Sequence, residues 1–187
     1  VGTFDVIGIG GQFDNSSPFT AGYQLLPRYI QDIVVAVPPS YDLAVTEIMA
    51  NSNDADAAIS PDWFEITNYG TTAINLAGFS WDDNTNVAGT SVFPSINVAP
   101  GEAIVVWSGT SANEAAFRTR WIMHPSTQII LASQLTGAFQ NLSSSADAVV
   151  LYDTSATAVE ICNAIYNSTL AGKSVEFDTA NAVLLGN

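Results

Sequence analysis

The stretch that decides the fold is Asp62-Trp63-Phe64-Glu65-Ile66-Thr67-Asn68-Tyr69-Gly70, a short alternating run that ends in turn residues. Successive side chains of a β-strand point to opposite faces, so Phe64 and Ile66 share one face and Glu65 lies on the other. We therefore predict a strand over residues 63–68 with one apolar face. Glu65 is expected to be solvated or hydrogen-bonded on the opposite face.

Further apolar runs follow the same pattern and are separated by turn residues such as Pro100-Gly101 and Asp153-Thr154-Ser155. Six or seven short strands at this spacing are typical of a β-sandwich or a barrel. Besides the first, the predicted strands cover residues 44–49, 74–81, 103–107, 128–132, 148–152 and 160–165.

One helix is predicted, beginning at Ser111 and ending near Ile122, before Pro125. Ser111 and Glu114 have the spacing of a capping box. A single short helix among many strands is expected to lie on a loop, so it does not indicate a parallel sheet.

The first 37 residues differ from the rest of the chain. Apolar runs at residues 4–7 and 23–26 flank a loop rich in Gly, Asn, Ser and Pro, which predicts a two-stranded hairpin. Gly8, Gly10 and Gly11 are expected to form a turn, because no helix follows them as in a dinucleotide loop. A hairpin alone is marginally stable in water, so we expect it to dock on another β-structure. The start at Val1, without Met, leads us to expect a piece of a longer protein.

Composition excludes several classes of partner. The chain has 187 residues and is 48% hydrophobic, and its 18 acidic residues against four Lys and Arg give a net charge of -14. Nucleic acids and anionic lipids bind clusters of cations, so neither is expected as a partner. Direct membrane insertion is not expected either, because no apolar run approaches the roughly 18 residues needed to span a bilayer.

Cysteine and histidine chemistry is limited to single residues. Cys162 is the only cysteine, which excludes an intramolecular disulfide and a multi-cysteine zinc site. A nucleophilic cysteine needs a nearby base, and His124 is the only histidine. A small buried hydrophobe is the favoured interpretation of Cys162.

The candidate metal ligands are Asp54, Asp56 and Asp62, in the loop before Trp63. Their carboxylates are of the kind that calcium takes, but the spacing is not that of an EF-hand, and a solvated loop is the alternative. Asp82-Asp83-Asn84 is a weaker candidate, because such a cluster is itself turn chemistry. No other cofactor is expected.

Two further residue sets have a functional and a structural interpretation. Glu47 and Glu65 could be an acid–base pair of the kind used in glycoside hydrolysis, but framework roles are favoured. Four tryptophans could form a carbohydrate platform, although core packing is favoured because aromatic side chains bury large areas. These are Trp63, Trp81, Trp107 and Trp121.

The blocks from Glu47 onward resemble the lamin tail domain family. The resemblance rests on Val45-Thr46-Glu47-Ile48-Met49, the stretch at 62–70, Ile74-Asn75-Leu76-Ala77-Gly78-Phe79-Ser80-Trp81, Val98-Ala99-Pro100-Gly101-Glu102 and the block at 142–153. It implies an all-β, immunoglobulin-like β-sandwich with one short helix, found in nuclear lamins and in secreted bacterial proteins. The N-terminal hairpin would then be an extension of this domain.

The N-terminal piece has a resemblance of its own. Gly22-Tyr23-Gln24-Leu25-Leu26-Pro27-Arg28 is similar to the last strands of the OB-like modules that precede lamin tail domains in secreted bacterial proteins. We therefore expect an OB remnant or assembly arm at 1–37, a linker at 38–41, a sandwich at 42–180 and a C-terminal tail at 181–187.

Together these features predict a non-catalytic structural or interaction module of a secreted or cell-surface multidomain protein. Its expected partners are other domains or copies of the same protein, joined by β-strand addition into a homo-oligomer or fibre. The alternative is a carbohydrate- or calcium-binding accessory module of an extracellular hydrolase or nuclease. An enzyme ranks last, because carboxylates alone would have to form its site.

Overall fold

The computed structural model describes residues 4–35, 40–52, 59, 61–155, 157–179 and 184–186. The chain divides into two units, Val1–Pro39 and Ser40–Asn187, which we call the N-terminal arm and the sandwich. None of the helices within the described ranges is long and apolar enough to cross a membrane.

The N-terminal arm contains four short strands in two antiparallel pairs. The strands are β1 (Phe4–Val6), β2 (Ile9–Gln12), β3 (Tyr23–Leu26) and β4 (Ile33–Val35), with a 3-10 turn at Ile30–Asp32 before β4. β2 pairs with β3, and β1 pairs with β4.

The predicted hairpin was wrong in its pairing, because residues 4–6 join the end of the arm and not residues 23–26. The predicted turn at Gly8–Gly11 was also wrong, since Gly10 and Gly11 lie within β2. Gly8 is required by a close approach of the chain: a Cβ at this position would lie 2.6 Å from the Leu26 carbonyl oxygen.

The first sheet of the sandwich has six strands and contains the strand predicted at residues 63–68. Its order is β12-β11-β6-β5-β16-β17. The strands are β5 (Leu43–Met49), β6 (Trp63–Asn68), β11 (Ala103–Trp107), β12 (Ile129–Leu131), β16 (Val175–Phe177) and β17 (Leu184–Gly186). Residues 184–186, which we expected in a tail, therefore belong to the sheet and pair with β16.

We had expected the helix to lie on a simple loop, but it lies in a crossover between two parallel strands. β12 runs parallel to β11, and residues 108–128 form the crossover between them. Parallel neighbours need a long connection, and here it contains a 3-10 turn at Ser111–Asn113 and the helix α1 at Glu114–Arg120. The predicted capping box is absent: the Glu114 carboxylate accepts a hydrogen bond from Arg118 Nε at 2.8 Å.

The second sheet has five strands in the order β13-β9-β8-β14-β15. They are β8 (Ser80–Asp82), β9 (Ser91–Val92), β13 (Thr136–Gly137), β14 (Asp147–Tyr152) and β15 (Glu160–Tyr166). A separate antiparallel pair is formed by β7 (Ile74–Asn75) and β10 (Asn97–Val98), and a 3-10 turn at Ala132–Gln134 precedes β13.

The main core combines apolar side chains from both sheets. Phe64 of β6 and Trp81 of β8 are both fully buried, with ring centroids 4.7 Å apart in an edge-on arrangement. Phe139 completes the group, with its ring centroid 4.9 Å from that of Trp81. The inward side of β6 therefore carries Phe64 and Ile66, as its alternation predicts.

Removing one core side chain should be far more costly than the same change at the surface. Leu76 is 1% exposed and Leu170 is 51% exposed. We expect Leu76→Ala to lower the free energy of unfolding by about 2–5 kcal/mol, because it leaves a cavity. The matched change Leu170→Ala should cost at most about 1 kcal/mol. Urea unfolding followed by circular dichroism measures both, and equal losses would contradict this assignment of the core.

Candidate functional site

A β-bulge brings two carboxylates together on the outer side of the six-stranded sheet. Val45 pairs with Ile66 and Glu47 pairs with Glu65, so Thr46 is an extra residue without a cross-strand partner. Such a bulge shifts the alternation by one residue. As a result Thr46 and Glu47 are both partly exposed, between the buried Val45 and Ile48.

Hydrogen bonds fix both carboxylates in place. The Thr46 hydroxyl donates to Glu65 Oε1 at 2.6 Å, and Ser174 donates to Glu47 Oε1. The pKa of Glu47 is raised, first by burial and then by the charges of Glu65 and Glu176, although the hydrogen bond from Ser174 opposes the shift. Glu47 and Glu65 therefore form an acidic pair whose charges repel each other.

A cavity of about 250 Å³ lies between this pair and the crossover that contains α1. We call it the acidic-aromatic cavity, because carboxylates line it together with aromatic and other apolar side chains. Its lining residues are Glu47, Trp63, Glu65, Val105, Phe117, Trp121, Met123 and Thr127.

The aromatic side of the cavity is built from α1 and the outward residues of two strands. The Trp107 ring stacks on Phe117 with centroids 4.0 Å apart, and Trp63 meets Trp121 edge-on at 5.0 Å. This second small core also contains Met49 and holds the helix against the sheet. The helix therefore completes a site that no single strand could form.

The four tryptophans differ in burial, and Trp63 both packs in a core and lines the cavity. Trp81 and Trp107 are 0% exposed and Trp63 is 5% exposed, so the core interpretation is confirmed for these three. Trp121 is only partly buried. No row of exposed tryptophan faces is present among the described residues.

The proposed calcium ligands are only partly described. Asp54 and Asp56 lie outside the described residues. Within the described ranges, no group of three or more His, Cys, Asp or Glu side chains is placed to hold a metal ion. Asp62 accepts a hydrogen bond from the Leu142 backbone N–H at 3.0 Å, and the calcium site stays a prediction.

Asp62 belongs to a cluster that fixes the loop before β14. Asp147 Oδ2 accepts a hydrogen bond from the Ser143 N–H at 2.8 Å, and the Tyr166 hydroxyl donates to the Ser143 carbonyl at 2.7 Å. Burial raises the pKa of Asp62 to about 6. The hydrogen bond from Leu142 opposes this shift, and the negative charge of Asp147 adds to it. The ordinary value is 3.8.

Cys162 and His124 do not form a catalytic pair. Cys162 is buried, and its sulfur accepts a hydrogen bond from the Val45 N–H at 3.4 Å. His124 is exposed, and its Nδ1 lies 2.7 Å from the Ser126 hydroxyl. Burial also raises the pKa of the Cys162 thiol, which disfavours the thiolate.

Asp82 and Asp83 stabilise the turn that follows β8 by accepting hydrogen bonds within it. Asp82 is 1% exposed and accepts hydrogen bonds from the Thr85 hydroxyl and the Val87 N–H, both at 2.6 Å. Asp83 accepts one from the Thr85 N–H. The turn interpretation of this cluster is confirmed, while the burial of Asp82 had no signal in the sequence.

A second candidate surface lies on the N-terminal arm. Ten of its large apolar side chains are exposed, from 40% for Ile33 to 77% for Ile30. Asp32 is the buried exception among its described residues, and it accepts hydrogen bonds from the backbone N–H groups of Arg28 and Tyr29. The arm thus has ordered strands but almost no core of its own.

Sequence reasoning missed the acidic-aromatic cavity. It named Glu47, Glu65, Trp63 and Trp121 but treated the acids and the aromatics separately. A signal was present, since two polar residues, Thr46 and Glu47, stand between the apolar Val45 and Ile48 and mark the bulge. The covering helix depends on the parallel crossover, which the sequence did not reveal.

Acidification should stabilise the folded chain through Asp62. Because the pKa of Asp62 is about 6 in the folded state and 3.8 without burial, the folded state gains the proton first. The free energy of unfolding should therefore rise as the pH falls from 7 through 6 towards 4. Urea unfolding over this range measures it.

In the variant Asp62→Asn, the free energy of unfolding should rise less as the pH falls. The titrating carboxyl is gone, while the amide oxygen can still accept the hydrogen bond from Leu142. Asp83→Asn, which removes the same charge from a turn, is the control. Identical pH dependence in Asp62→Asn and the control would contradict the assignment.

Comparison with known proteins agrees with this fold. The family model for the Lamin Tail Domain matches residues 36–166, which is well over half of the chain. No curated protein and no solved structure is significantly similar to the chain. The family is one of immunoglobulin-like β-sandwich interaction modules and is structural, not catalytic. The expected all-β fold is confirmed, and the chain belongs to the lamin tail domain family.

Proposed function

We propose that this chain is a non-catalytic interaction module of a secreted or cell-surface multidomain protein of bacterial type. In this proposal the sandwich is the stable body, and the N-terminal arm makes the joint to another β-structured domain or to a second copy. The arm's resemblance to the end of an OB-like module agrees with a position between domains.

The observation that carries the proposal is the exposure of apolar side chains on the arm. Extensive exposed apolar surface marks a contact site or an aggregation risk in a soluble protein. The sandwich has half as many exposed large apolar side chains among its described residues, although it is much the longer unit. The ten on the arm are Ile7, Ile9, Phe13, Phe19, Tyr23, Leu25, Leu26, Tyr29, Ile30 and Ile33.

The backbone of the arm supports strand addition. Each of its four described strands has one hydrogen-bonded neighbour in a two-stranded sheet. The other edge of each strand carries backbone groups that another strand could bond. Two-stranded sheets are marginal in water, so added strands would stabilise the arm as well as join it to its partner.

Self-association of the isolated chain tests this proposal, because a second copy is then the available partner. We expect the molar mass from light scattering to rise with protein concentration. Leu25→Ser should weaken the association about fivefold, since burying the exposed half of a leucine contributes about 1 kcal/mol.

Leu170→Ser is the matched control, because Leu25 and Leu170 are each 51% exposed and only Leu25 lies on the arm. The control should associate like the original chain. A monomer at every concentration, or equal effects of the two changes, would contradict the proposal.

A further inference from the structure

The acidic-aromatic cavity combines two kinds of surface, one acidic and one aromatic. Glu47 and Glu65 supply negative charge, while Trp63, Phe117 and Trp121 supply aromatic surface. A neutral apolar ligand would leave the negative charge of the two carboxylates uncompensated. A small anion would be repelled by them. The lining therefore favours a cation with a flat, weakly hydrated surface.

The geometry of the acidic pair suits a forked donor. Glu47 and Glu65 are directly opposite each other on neighbouring antiparallel strands. Side chains in such a pair start about 4.5–5.5 Å apart, so two carboxylates can be reached by one planar group. Burial and mutual repulsion raise the pKa of Glu47, and a bound cation would relieve both costs.

The aromatic side suits the same group. Guanidinium planes stack on aromatic rings and are less strongly hydrated than ammonium groups. The chain already shows one such contact at this place, since the Arg120 guanidinium carbon lies 5.0 Å from the centroid of the Trp121 ring. Trp63 lines the cavity beside Trp121, with the two ring centroids 5.0 Å apart.

We infer that the acidic-aromatic cavity binds an arginine side chain presented by a partner polypeptide. Glu47 and Glu65 would accept hydrogen bonds from the guanidinium, and the partly buried Trp121 would contact its plane. The net charge of -14 would favour association of the chain with a basic partner. All of the residues that line the site belong to the sandwich.

Titration with a short peptide tests the inference on the complete chain. The probe is acetyl-Gly-Arg-Gly-amide, and the control peptide carries citrulline, which has the same shape as arginine without its charge. We expect the arginine peptide to shift the indole NMR signals of Trp63 and Trp121 in a saturable way. The signal of Trp81, which is buried between the sheets, should stay in place.

Variants that remove a charge test whether Glu47 and Glu65 bind the arginine side chain. Glu65→Gln and Glu47→Gln keep an acceptor oxygen for Thr46 and Ser174, and each should weaken binding about tenfold. Glu160→Gln, an exposed change on β15 of the other sheet, should leave binding unaltered. Thermal melting of each variant verifies that it is folded.

Three results would overturn the inference. They are equal binding of the citrulline peptide, unchanged affinity in both glutamine variants, and saturable shifts with methyl glucoside but not with the arginine peptide. Because Leu25→Ser should leave peptide binding intact, a failure of the arm proposal would not be mistaken for a failure of this one.

Discussion

The contact between Phe64 and Trp81 is the interaction on which the rest of the structure depends. It joins the two sheets at their centre, with both rings fully buried and 4.7 Å apart. Aromatic side chains bury large areas and prefer this edge-on geometry, so one contact contributes strongly to holding two sheets face to face. Once Phe64 points inward, the alternation of β6 requires Trp63 and Glu65 to point outward.

That requirement links the core to the candidate site. The strand that supplies the core through one face supplies an aromatic ring and a carboxylate to the acidic-aromatic cavity through the other. The bulge at Thr46 then sets Glu47 beside Glu65, and the crossover helix covers the aromatic end. The buried core thus holds the acidic pair in place at the surface. The repulsion between the two like charges destabilises the folded state, and the packing of the core offsets it.

Local patterns predicted much of the sandwich. The strands at residues 63–68 and 103–107 were found with their observed bounds, since alternation and turn residues are encoded within a few positions. Pairings between distant segments were not predictable in this way. The partner of residues 4–6 and the parallel neighbour of β11 both depend on which elements meet in space.

The arm and the sandwich differ in how they are stabilised, and this difference is central to the function we propose. The sandwich buries its apolar side chains within its own sheets, whereas the arm leaves most of its own exposed. A crystal structure of the complete chain in its assembled form tests this most directly. We expect a strand of the arm to be hydrogen-bonded to a strand of a neighbouring copy. Arms that pair only within their own chain, with their apolar side chains packed on their own sandwich, would contradict it.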